Sequence, residues 1–185
     1  RFSIIAYGRF ANHTMTSNSD LDLVFVYDEV KSKEKSMRSI YIELFRQLIK
    51  VLSAKTTKGF MYEVDTKLKP SGKKGPVACT FENFKDYHQN RSFSWEKLAL
   101  RKTRVINQND LSLKTSELLN QLISIPIIEK NLANEINMMR TNTSEAGKQV
   151  TKMEPFKWFE TKYVGGGQRD IEFLNFFYYK NSKSI

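Results

Sequence analysis

Asp20 and Asp22 stand two residues apart in Asp20-Leu21-Asp22-Leu23-Val24-Phe25-Val26-Tyr27, a stretch that alternates like a β-strand. Residues two apart on a strand project to the same face, about 6–7 Å apart along its axis. Two carboxylates so placed repel unless something positive lies between them, and a divalent cation bound by hard oxygens is the usual answer. The bland alternative is a solvated strand edge, because Ser-Asp-x-Asp alone is a weak motif. Asp65 shifts that balance. It closes a second alternating stretch, Met61-Tyr62-Glu63-Val64-Asp65. Three carboxylates at the ends of two neighbouring strands would make one acidic cluster suited to paired Mg²⁺ ions, which support in-line displacement at phosphorus. Glu63 shares a strand face with Asp65 and is the rival third ligand, although a surface charge suits it better.

Two further features fit nucleotide chemistry. Ser19 precedes Asp20 in a loop whose hydroxyl and backbone N–H groups could receive a terminal phosphate. Lys67, Lys69, Lys73 and Lys74 follow Asp65 closely and put cations where a triphosphate needs them, with Lys73 and Lys74 better read as solvated. Other signals point to structure. Gly165-Gly166-Gly167 lacks a following Gly-Lys-Ser/Thr and reads as a hinge or turn. Asp170 and Glu172 on a helix diverge by about 200° and do not share a metal, so they read as positioning or salt-bridge residues. Cys79 reads as a small core residue, His13 and His88 as surface side chains, and Trp95 and Trp158 as helix-packing anchors.

Elements must hold these residues in place. Phe2–Tyr7 reads as a short buried strand, followed by a loop containing Gly8, Asn12 and Asn18. The charged segment from Asp28 to Lys35 reads as a loop. A helix is predicted over 37–54, with Ile40, Leu44, Leu48 and Val51 or Leu52 on its buried face. Gly59 ends it, and residues 60–65 form the second alternating strand. Residues 69–76 are dense in turn formers. Beyond them the strand signal fades. Thr80 is placed to cap a helix running to about His88, and a second helix runs from about Trp95 to Arg104. Leu118, Leu119, Leu122 and Ile123 mark a third. Pro126 opens a fourth, with Ile128, Leu132, Ile136 and Met139 at helical spacing. Residues 141–151 read as a polar loop, and 170–179 as a last helix.

Composition bounds the partners. The chain has 185 residues, 40% hydrophobic and 27% charged, which argues against disorder and fibrous repeats. No apolar run approaches the ~18 residues of a membrane span. A single cysteine excludes an internal disulfide and a thiolate-rich zinc site and fits a cytoplasmic protein. Two histidines leave little for a histidine metal cluster. Arg1 runs straight into an apolar strand without an initiator Met or leader, which reads as a piece of something longer. The net charge of +10 suggests a polyanionic partner, but it is spread over both halves and no aromatic-basic RNA motif accompanies it. A basic nucleic-acid-binding module is therefore the competing reading from another class.

Taken together the motifs resemble one family. Ser19-Asp20-Leu21-Asp22-Leu23, followed by Tyr62-Glu63-Val64-Asp65-Thr66-Lys67-Leu68-Lys69-Pro70-Ser71-Gly72, is similar to the signature of the glutamine synthetase adenylyltransferases. Residues 95–104 resemble that family's W-E-x-x-A-L-x-x-A-R segment. Lys162, Gly166-Gly167 and Asp170-Ile171-Glu172-Phe173 resemble its K-x-x-x-G-G-x-x-D-I-E-F segment. The resemblance implies an α+β fold: a polymerase-β-type nucleotidyltransferase core (a mixed sheet with flanking helices) over 1–105, then an all-helical region over 106–185, both truncated. It implies two such halves in the complete enzyme, one adding AMP from ATP to a tyrosine of glutamine synthetase and one removing it by phosphorolysis. The Y-E-V-D and P-S-G variants look like the adding half. A regulatory protein of the PII type is an implied partner, with neither nucleic acid nor membrane.

By position, Asp20, Asp22 and Asp65 would ligate a two-ion Mg²⁺ site, with Asp65 nearest the attacking hydroxyl. Gly8, Ser19, Lys67, Lys69 and Arg104 would bind the nucleotide, Arg104 contacting either phosphate or an internal carboxylate. Lys67 and Lys69 stand where the family has arginines, so bidentate phosphate contacts become single-point ones. The family's G-x-x-G-G turn appears as Gly8-Arg9-Phe10-Ala11-Asn12, and its G-S as Asn18-Ser19. Asn tolerates the left-handed conformation, so Asn12 and Asn18 are compatible with the turn, but with a side chain facing the phosphates, and loss of the glycines works against close backbone approach to the nucleotide.

Overall fold

The computed structural model describes residues 1–124 except positions 18, 30–35, 58 and 71, and beyond them only positions 134, 137, 138, 141, 166–168, 170–172 and 174. The chain divides into two compact units, Arg1–Ile125 and Pro126–Ile185. The first is α+β. Strands β1 (Phe2–Tyr7) and β2 (Leu21–Tyr27) pair antiparallel, Phe2 opposite Tyr27 and Ala6 opposite Leu23. Between them lies a single helical turn, α1 (Gly8–Ala11), where a loop is expected.

Helix α2 (Ser36–Leu52) follows β2, then a small hairpin of β3 (Lys55–Thr56) and β4 (Gly59–Phe60). Strands β5 (Val64–Asp65) and β6 (Ala78–Thr80) both run parallel to β2 along its free edge, β5 beside its start and β6 beside its end. Thr80 accepts the Asn83 N–H at 3.2 Å and so caps α3 (Phe81–Asp86), which runs on into a wider turn, Tyr87–Arg91. Helix α4 (Ser94–Ala99) leads into β7 (Thr103–Val105), antiparallel to β1, and α5 (Asp110–Ser124) completes the unit. The result is a mixed five-stranded sheet, order β5-β2-β1-β7 with β6 also on β2.

The sheet is covered on both faces, which is why the second half of β2 is apolar at every position. Leu21, Leu23, Phe25 and Tyr27 pack with Tyr41 and Phe45 of α2. Val24 and Val26 face the opposite way, with Phe84, Leu100, Leu118, Leu119 and Leu122. Cys79 is buried there, and burial pushes its thiol up to about 12.

Several expectations need correction. The stretch 60–65 is not one strand. It splits into β4 and β5 because Gly59 adopts φ +119 and the Tyr62 N–H turns back to the Leu52 carbonyl at 3.1 Å. The helix expected over Trp95–Arg104 stops at Ala99; Leu100–Lys102 tighten into a 3₁₀ turn, and Thr103 Oγ1 donates to the Leu100 carbonyl at 2.6 Å as the chain enters β7. Strands β6 and β7 are three residues each, too short to show periodicity. His88 is not on the surface but 2% exposed, wedged against the Phe84 and Tyr87 rings. Burial lowers its pKa to about 4, so it is neutral near pH 7.

In the second unit the Gly166 N–H donates to Asp170 Oδ2 at 2.7 Å, and Gly166 has φ +78, so Asp170 closes a turn there. Trp158, Lys162, Gly165 and most of the helices expected over 126–139 and 170–179 lie outside the described residues, as do Asn18 and the loop 30–35. No helix among the described residues is long and apolar enough to cross a membrane.

Candidate active site

Sheet register brings two of the three aspartates together. Asp22 is the direct partner of Asp65 across the parallel β2–β5 pair. Adjacent strands lie about 4.8 Å apart, so the two carboxylates leave the sheet side by side. The Leu21 N–H donates to the Glu63 carbonyl at 2.7 Å and fixes that register at its start. Asp20 lies just before β2 and is exposed. Glu63 is exposed too. With Val64, Asp65, Thr66, Lys67 and Lys69 it lines an open cleft of about 310 Å³.

Lys67 is the cation at the centre of this group. Its ammonium pairs with Asp65 Oδ2, and its backbone N–H donates to Asp65 Oδ1 at 2.8 Å. Asp65, through that hydrogen bond and its charge, raises the pKa of the ammonium, and Asp20 and Asp22 add a smaller pull in the same direction. Lys69 behaves differently. It is buried, and its Nζ donates to the Thr66 carbonyl at 3.0 Å, closing the turn that carries Lys67. Burial lowers its pKa.

Gly8 faces the other side of Asp22. Its φ is +58, and a Cβ there would stand 2.9 Å from Asp22 Oδ2. The glycine thus admits a left-handed residue and leaves room for the carboxylate. Gly8→Ala is expected to cost about 1–3 kcal/mol through backbone strain. It should also swing the Asp22 carboxylate aside. A melting-temperature fall of a few degrees, with activity down at least ~10-fold, is the expected outcome, since misplacement by about 1 Å can cost far more than strain. Unchanged activity would show that Asp22 does not need that room.

The rest of the turn departs from expectation. Asn12 has φ −91; the left-handed residue is His13, with φ +57, and Ala11 is buried. Ser19 is buried, and its Oγ is turned inward. There it accepts the Thr16 N–H at 2.9 Å, lies 3.0 Å from Thr16 Oγ1 and accepts from Arg9 Nη1 at 3.4 Å. Its hydroxyl therefore shapes the loop. Arg9, directly after Gly8 in sequence, is an exposed cation beside this loop that residue type and spacing alone do not single out. Arg104 donates from Nη2 to the Phe10 carbonyl at 3.3 Å, with its guanidinium 5.6 Å from the Phe10 ring, and so holds α1 against β7.

The glutamate of the Trp95-Glu96 pair has a separate role. Buried Glu96 accepts the Tyr87 hydroxyl on both oxygens, at 2.8 and 2.9 Å, and the Phe93 N–H at 2.9 Å. It ties the turn after α3 to the start of α4.

No three His, Cys, Asp or Glu side chains among the described residues are drawn into a closed metal-ligand group. The donor set nonetheless suits a hard divalent cation: carboxylate oxygens from Asp22 and Asp65 in adjacent register, with Asp20 at the strand start.

Comparison with known proteins places the chain in a family. Residues 1–120 match the family described as glutamate-ammonia ligase adenylyltransferase. Over 182 residues the chain is 31% identical to the bifunctional glutamine synthetase adenylyltransferase/adenylyl-removing enzyme of Brucella suis biovar 1 (strain 1330), covering 94% of this chain and 18% of that protein. The enzymes of the same name from Bradyrhizobium diazoefficiens (32% over 181 residues, 93% and 18%) and Mannheimia succiniciproducens (32% over 183 residues, 94% and 18%) are similarly related. The chain thus spans about a fifth of the length of these relatives.

Proposed function

The chain belongs to the glutamate-ammonia ligase adenylyltransferase family, and from that premise we propose that its first unit is a polymerase-β-type nucleotidyltransferase core that transfers AMP from ATP to a tyrosine of glutamine synthetase. The observation that carries this reading is the register of Asp22 against Asp65, whose carboxylate is paired with Lys67 in the same cleft. The tyrosine oxygen attacks the α-phosphorus, the bond to the β-phosphate oxygen breaks, and pyrophosphate leaves. Asp65 takes the hydroxyl proton. Asp20, Asp22 and Asp65 are the residues that would hold Mg²⁺, which when bound neutralises charge building on the phosphates. Gly8 leaves space for Asp22, while Arg104 and Ser19 fix the loop that faces the nucleotide.

Tyr62-Glu63-Val64-Asp65 and Pro70-Ser71-Gly72 favour the adding direction over phosphorolytic removal. A PII-type protein would set that direction in the complete, cytoplasmic enzyme. The test is direct: the intact protein is incubated with α-labelled ATP and glutamine synthetase, and label on a glutamine synthetase tyrosine is expected. Release of ADP from adenylylated glutamine synthetase and phosphate, with no label transfer, would reverse the direction.

A further inference from the structure

Both oxygens of Asp65 are engaged by a single residue, Lys67, one through the backbone N–H and one through the ammonium. The two partners are unequal. The Asp65 side chain is 20% exposed and that of Lys67 is 57% exposed, so the carboxylate is fixed in the sheet and the ammonium hangs from a flexible four-carbon stem. The turn beneath it is firm, because Lys69 is buried and holds the Thr66 carbonyl. Of the two lysines lining the cleft, Lys67 is therefore the one that can change partner. A divalent cation at Asp65 would compete with it, since like charges within a few ångströms repel. A triphosphate entering the same cleft would offer it a better anion.

We propose that Lys67 is an exchangeable internal cation, which holds Asp65, the register partner of Asp22, while no nucleotide is bound and moves onto the phosphates of an arriving nucleoside triphosphate, freeing Asp65. The proposal rests on the nucleotidyltransferase reading. Its consequence is ordered loading. The carboxylates bind a divalent cation weakly until the nucleotide takes Lys67 away, so cation and nucleotide reinforce each other.

Mn²⁺ binding to the intact protein, followed by the loss of the free-ion paramagnetic resonance signal, tests this without recourse to turnover. The Mn²⁺ bound by wild type but not by the Asp20→Asn/Asp22→Asn variant measures this site. Lys67→Met is expected to bind that Mn²⁺ about tenfold more tightly in the absence of nucleotide, because a +1 charge has left its neighbourhood. A non-hydrolysable ATP analogue should tighten Mn²⁺ binding in wild type by a clearly larger factor than in Lys67→Met. Equal or weaker Mn²⁺ binding by Lys67→Met would overturn the exchange role and leave the site intact. Mn²⁺ binding unaffected by Asp20→Asn/Asp22→Asn, or no Mn²⁺ binding by wild type in either condition, would overturn the site reading and the exchange role with it.

Discussion

On the proposed function, Asp20→Asn with Asp22→Asn is expected to remove AMP transfer to glutamine synthetase, by at least ~10³-fold, while the protein stays folded. Amides keep the size and much of the hydrogen bonding of the acids but lose the charge that a divalent cation and a triphosphate require. The fold is expected to tolerate the loss of that charge. Asp20 is exposed, and Asp22 is half-buried at the open end of β2, outside both apolar clusters. The melting temperature should therefore move by no more than a few degrees, because substitutions away from core contacts stay within about 0.5 kcal/mol. The measurement is label transfer from α-labelled ATP alongside a thermal melt. Retained transfer in the folded double variant would sink the assignment. In an enzyme with two opposed activities the result also reports direction: if phosphorolytic removal disappears and AMP addition persists, this is the removing half.

The two central strands are legible in the sequence because of their apolar pattern. Asp–Leu alternation followed by an apolar run marks β2, and a compact apolar run marks β1. The adjacency of Asp22 and Asp65, however, depends on β5 pairing parallel to β2 through only two residues. Nothing local in Val64-Asp65 encodes that pairing; it follows from a chain path that passes through α2 and a hairpin before returning to β2. Residues 78–80 and 103–105 were opaque for a related reason, since their strand character comes from the neighbours they pair with and not from their own pattern. Arg104 shows the same limit. The resemblance leaves it either a phosphate or an internal carboxylate, but its position opposite Ala6 on β1 brings it to the Phe10 carbonyl. Likewise Ser19 has a hydroxyl suited to a phosphate, yet the tight turn from Thr16 uses it internally.

Helix α2 offers the largest stability test, because the faces chosen by sequence and structure overlap only in part. Aliphatic spacing selects Ile40, Leu44, Leu48 and Val51 or Leu52. Leu48 and Leu52 do pack against the apolar cluster, but Ile40, Leu44 and Val51 are exposed, and the buried face is set by Tyr41 and Phe45, four residues apart. The aromatics prevail because they bury more area and find partners of matching shape. Phe45 stacks on Phe25 with centroids 4.4 Å apart and meets the edge of Phe2 at 5.5 Å, while Tyr41 stacks on Tyr27 at 5.0 Å. Rotating the helix by one residue, about 100°, would exchange these stacks for branched aliphatics against a flat aromatic surface. Phe45→Ala should accordingly cost about 3–5 kcal/mol, the range for deleting a buried ring without collapse of the cavity. Leu44→Ala, on the adjacent exposed stripe, should cost no more than about 0.5 kcal/mol. Hydrogen exchange of the β1 and β2 amides measures both in the intact protein, and Phe45→Ala should lower their protection by at least ~10²-fold if they open with the sheet. Comparable losses for the two variants would mean that α2 packs through its aliphatic stripe after all. It would also remove the aromatic anchor that holds β2, and with it Asp22, in register with Asp65.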